Sequence, residues 1–463
     1  MVKKSILKEV LAAALSRGGD FAEIYIEDRL NKSIALISGA IEKSLSGRDY
    51  GVGIRIFSGL KSIYVYTNDS SKNNLVSLAK EAALGLETGL SGEVKELSRV
   101  DRINRHKIET YPASVLAKDK IALMKRAYDK SKDYDQLIKQ VKVNYLDYDK
   151  KILIANSEGL LTEDHQVRTR LSVTSIARNN NEMQTGSDNI GGHIGFELYN
   201  EKRIDAIAIE SARIAKTMLL ADKCPSGKMD VVIDNGFGGV IFHEACGHGL
   251  EATSVAKGNS VYAGKIDEKI ASPLVTAIDD GTIENAWGSS NIDDEGFESR
   301  KNVLIEKGIL KKYMVDRLNG RRMEMKPTGS SRRQNYRYAP TSRMTNTYID
   351  NGDSTKDEII SNTASGLFAR KMGGGSVNPL TGEFNFNVME AYIIKNGRID
   401  KPVRGASLIG KGSEVLRNID MVGNNLALGQ GNCGSSSGSL PVNVGQPTIR
   451  VKDITVGGIK DEQ

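Results

Sequence analysis

The sequence predicts an α+β protein, with helix-flanked antiparallel sheets in the N-terminal half and a larger, mostly-β C-terminal domain carrying a distorted helix with two histidines. Three observations carry that prediction. Apolar residues fall at helical spacing at both ends of two early segments, alternating runs joined by Gly and Asn/Asp turns lie between them, and strand and Gly-rich loop dominate beyond residue 226. A chain of 463 residues with 39% apolar and 26% charged residues is long enough for two or three domains and can bury a real core.

The first helix is read from Ile6, Leu7, Val10, Leu11, Ala14 and Leu15, which repeat at helical spacing. Lys8 and Glu9 interrupt what would otherwise resemble a secretory signal, so the segment is an amphipathic core helix. The alternating runs "FAEIYIEDR", "SIALISGAIEKSLS", "GVGIRIFSG" and "KSIYVYT" follow, then the helix "NNLVSLAKEAALGL", giving helix, meander and helix over 1–95. A polar stretch over 91–112 links to a second unit, 96–225. It holds a helix at about 115–131, the strands "KQVKVNYLDYD", "KILIANSEG" and "RTRLSVTSIARN", and the closing helix "RIDAIAIESARIAKTMLL". The repeated order suggests an old duplication. Residues 226–463 form the last and largest domain, opening on a short apolar strand that turns through a Gly-rich loop into "FHEACGHGLEA".

Charge and cysteine usage narrow the function classes. The net charge of +6 arises from 64 basic against 58 acidic residues, a mixture that attracts anions only mildly and makes nucleic acid an unlikely ligand on charge alone. No apolar stretch is long enough to span a bilayer. Three cysteines, an odd number in a long chain, make no disulfide framework, and the reading is a cytoplasmic protein with free thiols.

The chemistry concentrates at His243, Glu244 and His248. In H-E-x-x-H two histidines four apart bind zinc from one helical face while the glutamate activates water, but here they are five apart. On an undistorted helix five residues advance about 500°, leaving the imidazoles roughly 140° apart. A π-type turn would bring them together, and Gly247 and Gly249 make the backbone around His248 easy to deform, so the helix is expected to be distorted at Gly247. Five histidines and 58 acidic residues give an expectation of about 0.007 such strings by chance. A third ligand comes from elsewhere. Cys246 shares a helical side with His243 but also suits core packing, whereas Cys433 lies in the Gly/Ser-rich "GNCGSSSG". A thiolate with two imidazoles suits zinc better than calcium or magnesium. Glu251 is a fourth ligand or, by preference, a carboxylate orienting an imidazole. His106, His165 and His193 lie among polar residues and are read as solvated or structural.

Taken together, "HEACGHGLEA", "TSRMTNTYIDNG", "KMGGGSVNPLTGEFNFNVMEAYIIKNGRI", "PVRGASLIGKGSEVL" and "CGSSSGSLPVNVGQPTIRV" resemble the TldD/PmbA family of metallopeptidases, in its TldD-type subunit, from about residue 228 to the end. The resemblance implies a Zn²⁺ ion held by His243, His248 and Cys433, with Glu244 as catalytic base, and it favours Cys433 over Cys246. It implies substrates that are unfolded or flexible peptides, including leader peptides and labile small proteins. It also implies a homodimer, or a heterodimer with a PmbA-type (TldE-like) subunit that lacks the metal motif. An older family label, modulator of DNA gyrase, supplies no chemistry for these residues.

Other stretches offer competing readings. Residues 311–343 carry ten basic and two acidic residues with Tyr313, Tyr336 and Tyr338 interleaved. That pattern suits a single-stranded nucleic-acid surface, a solvated loop or a grip on carboxylates. It carries the alternative function, a non-catalytic nucleic-acid- or topoisomerase-binding modulator with a structural metal. Asp293, Asp294 and Glu295 can invite a hard cation, but their spacing fits no EF-hand loop, and a loop near the cleft is expected. The Gly-rich "KMGGGSVNPLTGEFNF" lacks a phosphate-cradle ending, and its continuation "EFNFNVMEAYII" is read as a strand whose free edge can pair with an extended peptide.

Overall fold

Helices Lys4–Leu15 and Lys72–Ala83 enclose one end of a seven-stranded sheet, and helices Ala117–Lys132 and Glu201–Leu220 cover the other. The computed structural model describes residues 2–86, 91–180, 182–378 and 381–458. Along the sheet the strands run Lys61–Thr67, Ala40–Ser58, Phe21–Ile37, Ile138–Asn156 and Leu160–Arg178, with Ser98–Arg99 and Met183–Gly192 on the last of these. Phe21–Ile37 and Ile138–Asn156 pair antiparallel from Glu23↔Asn156 to Ile37↔Lys142, so one sheet passes through both N-terminal segments.

These strands are longer than the sequence pattern suggests. "FAEIYIEDR" and "SIALI" are one strand, and the hairpin falls within "SIALISGAIEKSLS", at Ser38 (φ 52°) and Gly39 (φ 85°). Two consecutive residues with positive φ make the tight turn that matches strand twist. Asn31 and Lys32, which read as a turn, stay in the ladder because each is paired on both sides, Asn31 with Gly47 and with Tyr148.

Alternation assigns the two faces. Ala22, Ile24 and Ile26 point at Leu7, Val10, Leu11 and Leu75 of the first helix pair. Met124, Val143, Leu171, Ile204 and Ala208 build the second apolar layer. Each buried Val, Leu, Ile or Met among them contributes about 1.5–3 kcal/mol by leaving water. Tyr25 and Ile154 point the other way, at Ile292 and Tyr336 of the C-terminal part.

Among the described residues the C-terminal part holds two large sheets and a small pair, Ser331–Arg332 with Thr341–Ser342. Gly227–Ile233, Ile449–Gly457, Ser407–Lys411, Glu383–Lys395 and Ser365–Val377 pair in succession and the last returns to the first, closing a five-stranded ring. The second sheet runs Ile309–Leu310, Lys301–Glu306, Ala277–Asp280, Asn346–Ile349, Gly438–Gln446 and Ala427–Ser435. The ring settles one expectation against the sequence reading. Glu383–Lys395 has no free edge for a peptide, because Ser365–Val377 pairs along one side and Arg398–Arg404 and Ser407–Lys411 along the other.

Two of the remaining histidines are structural. His106 and His193 stack with ring centroids 4.1 Å apart at the seam with the C-terminal part. There the Asn285 N–H donates to His106 Nδ1 at 3.0 Å, and His193 Nδ1 lies 3.2 Å from the Ser289 carbonyl. His165 is partly exposed beside Asp149 at 2.7 Å. Burial, reinforced by Arg168, pushes His106 down to about 4 and His193 below its ordinary value. An unfolded histidine near 6.5 therefore takes up its proton before the folded one does. Stability is full above that value and falls as pH drops toward about 4. The denaturant midpoint should decrease between pH 7 and pH 5, and His106→Asn, which keeps an acceptor for the Asn285 N–H, should flatten the decrease.

Candidate metal centre

The strand Gly227–Ile233 leads through a 3₁₀ turn, Phe237–Gly239, into the short helix Val240–Ala245, which ends on His243-Glu244-Ala245. The helix is deformed, but not by widening. Cys246 leaves the helical region (φ −134°, ψ −47°) and Gly247–Leu250 continues as a tighter 3₁₀ turn. The π-type turn expected from the five-residue spacing is thus replaced by a break and a re-wound turn. Close packing explains the glycine that follows: a Cβ on Gly247 would stand 2.3 Å from the Met344 sulfur.

The break brings the two imidazoles within 5.0 Å, centroid to centroid, at an interplanar angle of 83°. Cys433, on the hairpin formed by Ala427–Ser435 and Gly438–Gln446, places its Sγ 3.2 Å from His248 Nε2. One donor atom from each of His243, His248 and Cys433 lies within 4.8 Å of the other two. Each ring is held through its other nitrogen. His243 Nδ1 sits 3.1 Å from Thr347 Oγ1, and His248 Nδ1 donates to Glu251 Oε2 at 3.2 Å. Glu251 Oε1 accepts from the Met344 N–H at 3.3 Å, so the carboxylate is braced from behind.

Glu244 borders the same space, with its Oε2 3.7 Å from His248 Nε2 and a side chain 22% exposed. Burial raises its carboxyl above the ordinary value, partly offset by His248. Burial also holds His243 well below its ordinary value, helped by His248 and Arg343. For His248 burial opposes the charge, but Glu251 and Cys433 outweigh it and raise its proton affinity.

Cys246 is not brought to this cluster. Its thiol packs in the core of the C-terminal part, where burial pushes it up to about 12. Asp293, Asp294 and Glu295 are buried, and their oxygens serve the chain itself. Asp293 accepts from the N–H groups of Glu295, Phe297 and Ser331, Asp294 Oδ2 accepts from the Arg333 N–H, and Glu295 pairs with Arg55 at 2.5 Å. Most arginines of 311–343 are likewise paired with carboxylates of the chain itself. Arg333 pairs with Glu23 at 2.8 Å, Arg317 with Glu158 at 2.8 Å, Arg321 with Asp20 at 2.6 Å and Arg337 with Asp49 at 2.8 Å. Lys311, Lys312, Lys326 and Arg337 remain exposed along the stretch.

Two residues beside the cluster carry no local sequence signal. Thr347 lies in "TSRMTNTYIDNG", where nothing but the resemblance draws attention to it. Arg343 is 1% exposed and donates to the Cys433 carbonyl at 2.6 Å, which fixes the backbone that presents the thiol.

Known proteins share this layout. The sequence matches the PmbA/TldA metallopeptidase domain 1 over residues 22–84, the central domain over 110–219 and the C-terminal domain over 226–458. A Haemophilus influenzae protein called metalloprotease TldD homolog is 38% identical over 96% of this chain and 94% of its own. A metalloprotease of Methanothermobacter thermautotrophicus is 33% identical over 95% and 96%. The crystal structure of TldE from Thermococcus kodakarensis superposes with a TM-score of 0.78 at 16% identity, over 98% of this chain and 100% of that one, and shares the fold. No helix among the described residues is long and apolar enough to cross a membrane. With all three family domains matched in order and relatives above one-third identity along nearly the whole chain, the protein belongs to the PmbA/TldD family of metallopeptidases as a TldD-type member.

Proposed function

We propose that His243, His248 and Cys433 hold one Zn²⁺ ion and that Glu244 is the base in hydrolysis of peptide bonds in unfolded or flexible peptides. The observation that carries this reading is the meeting of two imidazoles and one thiol within 4.8 Å, with a partly exposed carboxylate at their edge. The donor set fits the ion. Ligands about 2.0–2.3 Å from zinc lie about 3.5 Å apart in a tetrahedron, close to the 3.2 Å between Cys433 Sγ and His248 Nε2. With Nδ1 of each ring already engaged, Nε2 is the nitrogen left for the ion. Three donors leave a fourth position for solvent, as catalytic sites require.

Zinc bound there would polarise a peptide carbonyl and lower the pKa of water. Glu244 accepts the proton of the attacking water and returns it to the leaving amine nitrogen. Its raised proton affinity makes that return easier than for a solvated carboxylate. Thr347 and Glu251 keep the rings aimed, and Arg343 keeps the Cys433 loop in place. His243 is 2% exposed, so a folded protein surface would not reach the site, whereas an extended leader peptide or a labile small protein would.

The TldE likeness supports assembly with a PmbA-type subunit, with a homodimer as the other arrangement. Three free cysteines support a reducing compartment, the cytoplasm. The alternative of a nucleic-acid- or topoisomerase-binding modulator is not favoured, because most arginines of the basic stretch are committed to ion pairs within the chain. The test is digestion of an unstructured peptide with metal analysis, alone and with the PmbA-type subunit. One zinc per chain and cleavage abolished by chelator and restored by zinc are expected. Cleavage that persists after complete metal removal would overturn the reading.

A further inference from the structure

A cavity of about 230 Å³ lies between the N-terminal sheet and the hairpin that carries Cys433, and its lining is strongly cationic. Arg29, Lys150, Arg168, Arg332 and Arg333 face it, against the carboxylates Asp293 and Asp294. We propose that this cavity binds an oxyanion, either a phosphate group or a carboxylate.

These cations differ in how they are partnered. Arg333 has Glu23. Arg168, 1% exposed, donates to the Trp287 and Ser289 carbonyls, the Tyr148 hydroxyl and the Gln166 amide oxygen, and among the described residues no carboxylate pairs with it. Arg332, 6% exposed, donates to the Met344 and Pro441 carbonyls and also has no carboxylate partner. Lys150 is 6% exposed, and its ammonium has no hydrogen-bond partner among the described residues. It shares with Arg29 the field of Glu27, whose Oε1 is itself without a hydrogen-bond partner. Arg29 stacks on Tyr148 at 4.0 Å and leaves its buried Nε–H unused. Burial of cations without counter-charge is costly, and the cost is visible at Arg332, which burial and the neighbouring Arg168 push down to about 10.

The two carboxylates offset this excess only in part, Asp294 acting on Arg332 and Arg333 while five cations face the cavity. Both Asp293 oxygens and Asp294 Oδ2 already accept backbone N–H groups. An oxyanion would meet the guanidinium edges and the ammonium as charge-assisted hydrogen-bond donors. Entry is at Asn432 and Ser439, whose side chains are exposed at the mouth. Asn432 adjoins Cys433 and Arg332 holds the Pro441 carbonyl on the paired strand, so an occupant would rest against the back of the hairpin that presents the thiol. The assignment of an oxyanion does not depend on the peptidase reading.

The test is calorimetric titration of the full chain with inorganic phosphate against chloride at matched ionic strength, with melting curves in both salts. Saturable phosphate binding and a rise in Tm specific to phosphate are expected. Lys150→Met should weaken phosphate binding about tenfold or more, the worth of a charge-assisted hydrogen bond. Because Met keeps the bulk of the lysine stem and Arg29 remains beside Glu27, the variant should still melt cooperatively in chloride, so loss of binding is not loss of fold. Arg29→Met provides an independent second variant with the same expected weakening. A short peptide with a free C-terminus that competes with phosphate, where its amidated form does not, would identify a peptide carboxylate as the ligand. Failure of both peptides to compete would identify phosphate. Identical heats and Tm in the two salts, or phosphate binding unchanged in both variants, would overturn the proposal.

Discussion

Glu244→Gln is expected to lower kcat for peptide hydrolysis by about 10²–10⁴-fold, the usual contribution of a positioned general base, while zinc content and melting temperature stay close to the parent's. The substitution keeps the shape of the side chain and removes only its ability to take a proton. The folded state loses little, because Glu244 makes no ion pair stronger than its 3.7 Å approach to His248. Removing a carboxylate whose burial already raises its proton affinity relieves a cost rather than adding one. KM should change little, since the loss lies in the transition state and not in substrate binding. Turnover by the variant at the parental rate would remove Glu244 from the mechanism. A parallel loss of zinc would instead show that the residue supports the metal site.

Much of the site was legible in the chain because its chemistry is carried by rare residues. Two of five histidines and a glutamate stand within six positions, and Cys433, the thiol that the structure brings beside them, stands out in the Gly/Ser-rich "GNCGSSSG". The need to deform the helix was also readable from turn geometry, since 3.6 residues per turn cannot aim positions 243 and 248 together. The manner of deformation was not. Whether the backbone widens or breaks depends on what packs against it, and the residue pressing on Gly247 is Met344, almost a hundred positions away. Thr347 and Arg343 were missed for the same reason, since a threonine or an arginine gains its role only from the tertiary neighbour it meets.

The fold divides along a similar line. Local periodicity located the four N-terminal helices and the strand-rich character of both halves. It did not show that Phe21–Ile37 pairs with Ile138–Asn156 across a hundred intervening residues, nor that Ser365–Val377 closes the C-terminal ring. Such pairings are fixed by which edges remain open after the local hairpins form. The basic stretch misled because composition records charge and not partners. Its arginines answer Asp20, Glu23, Asp49 and Glu158, which lie in the N-terminal half and bind the C-terminal part to it.

Cys433→Ser should strip the site of zinc, with an affinity loss beyond the about 10–100-fold typical of removing an outer partner of a ligand, because a hydroxyl at neutral pH offers no anionic soft donor. The backbone that carries residue 433 is held independently of its side chain, by the hairpin pairing Cys433↔Leu440 and by Arg343 on its carbonyl. The variant should therefore fold, melt near the metal-free parent and fail to gain stability when zinc is added, whereas the parent gains it by mass action. Cys246→Ser separates the two thiols. Its hydroxyl would lie in an apolar core beside Tyr262 and cost about 1–3 kcal/mol of stability if left unsatisfied, yet zinc per folded chain should remain at one. The contrast turns on location alone, since both cysteines are free and buried, one after the short helix and one on the hairpin. Retention of zinc by the Cys433 variant together with its loss from the Cys246 variant would transfer the third ligand to the helix and require a different path for the peptide.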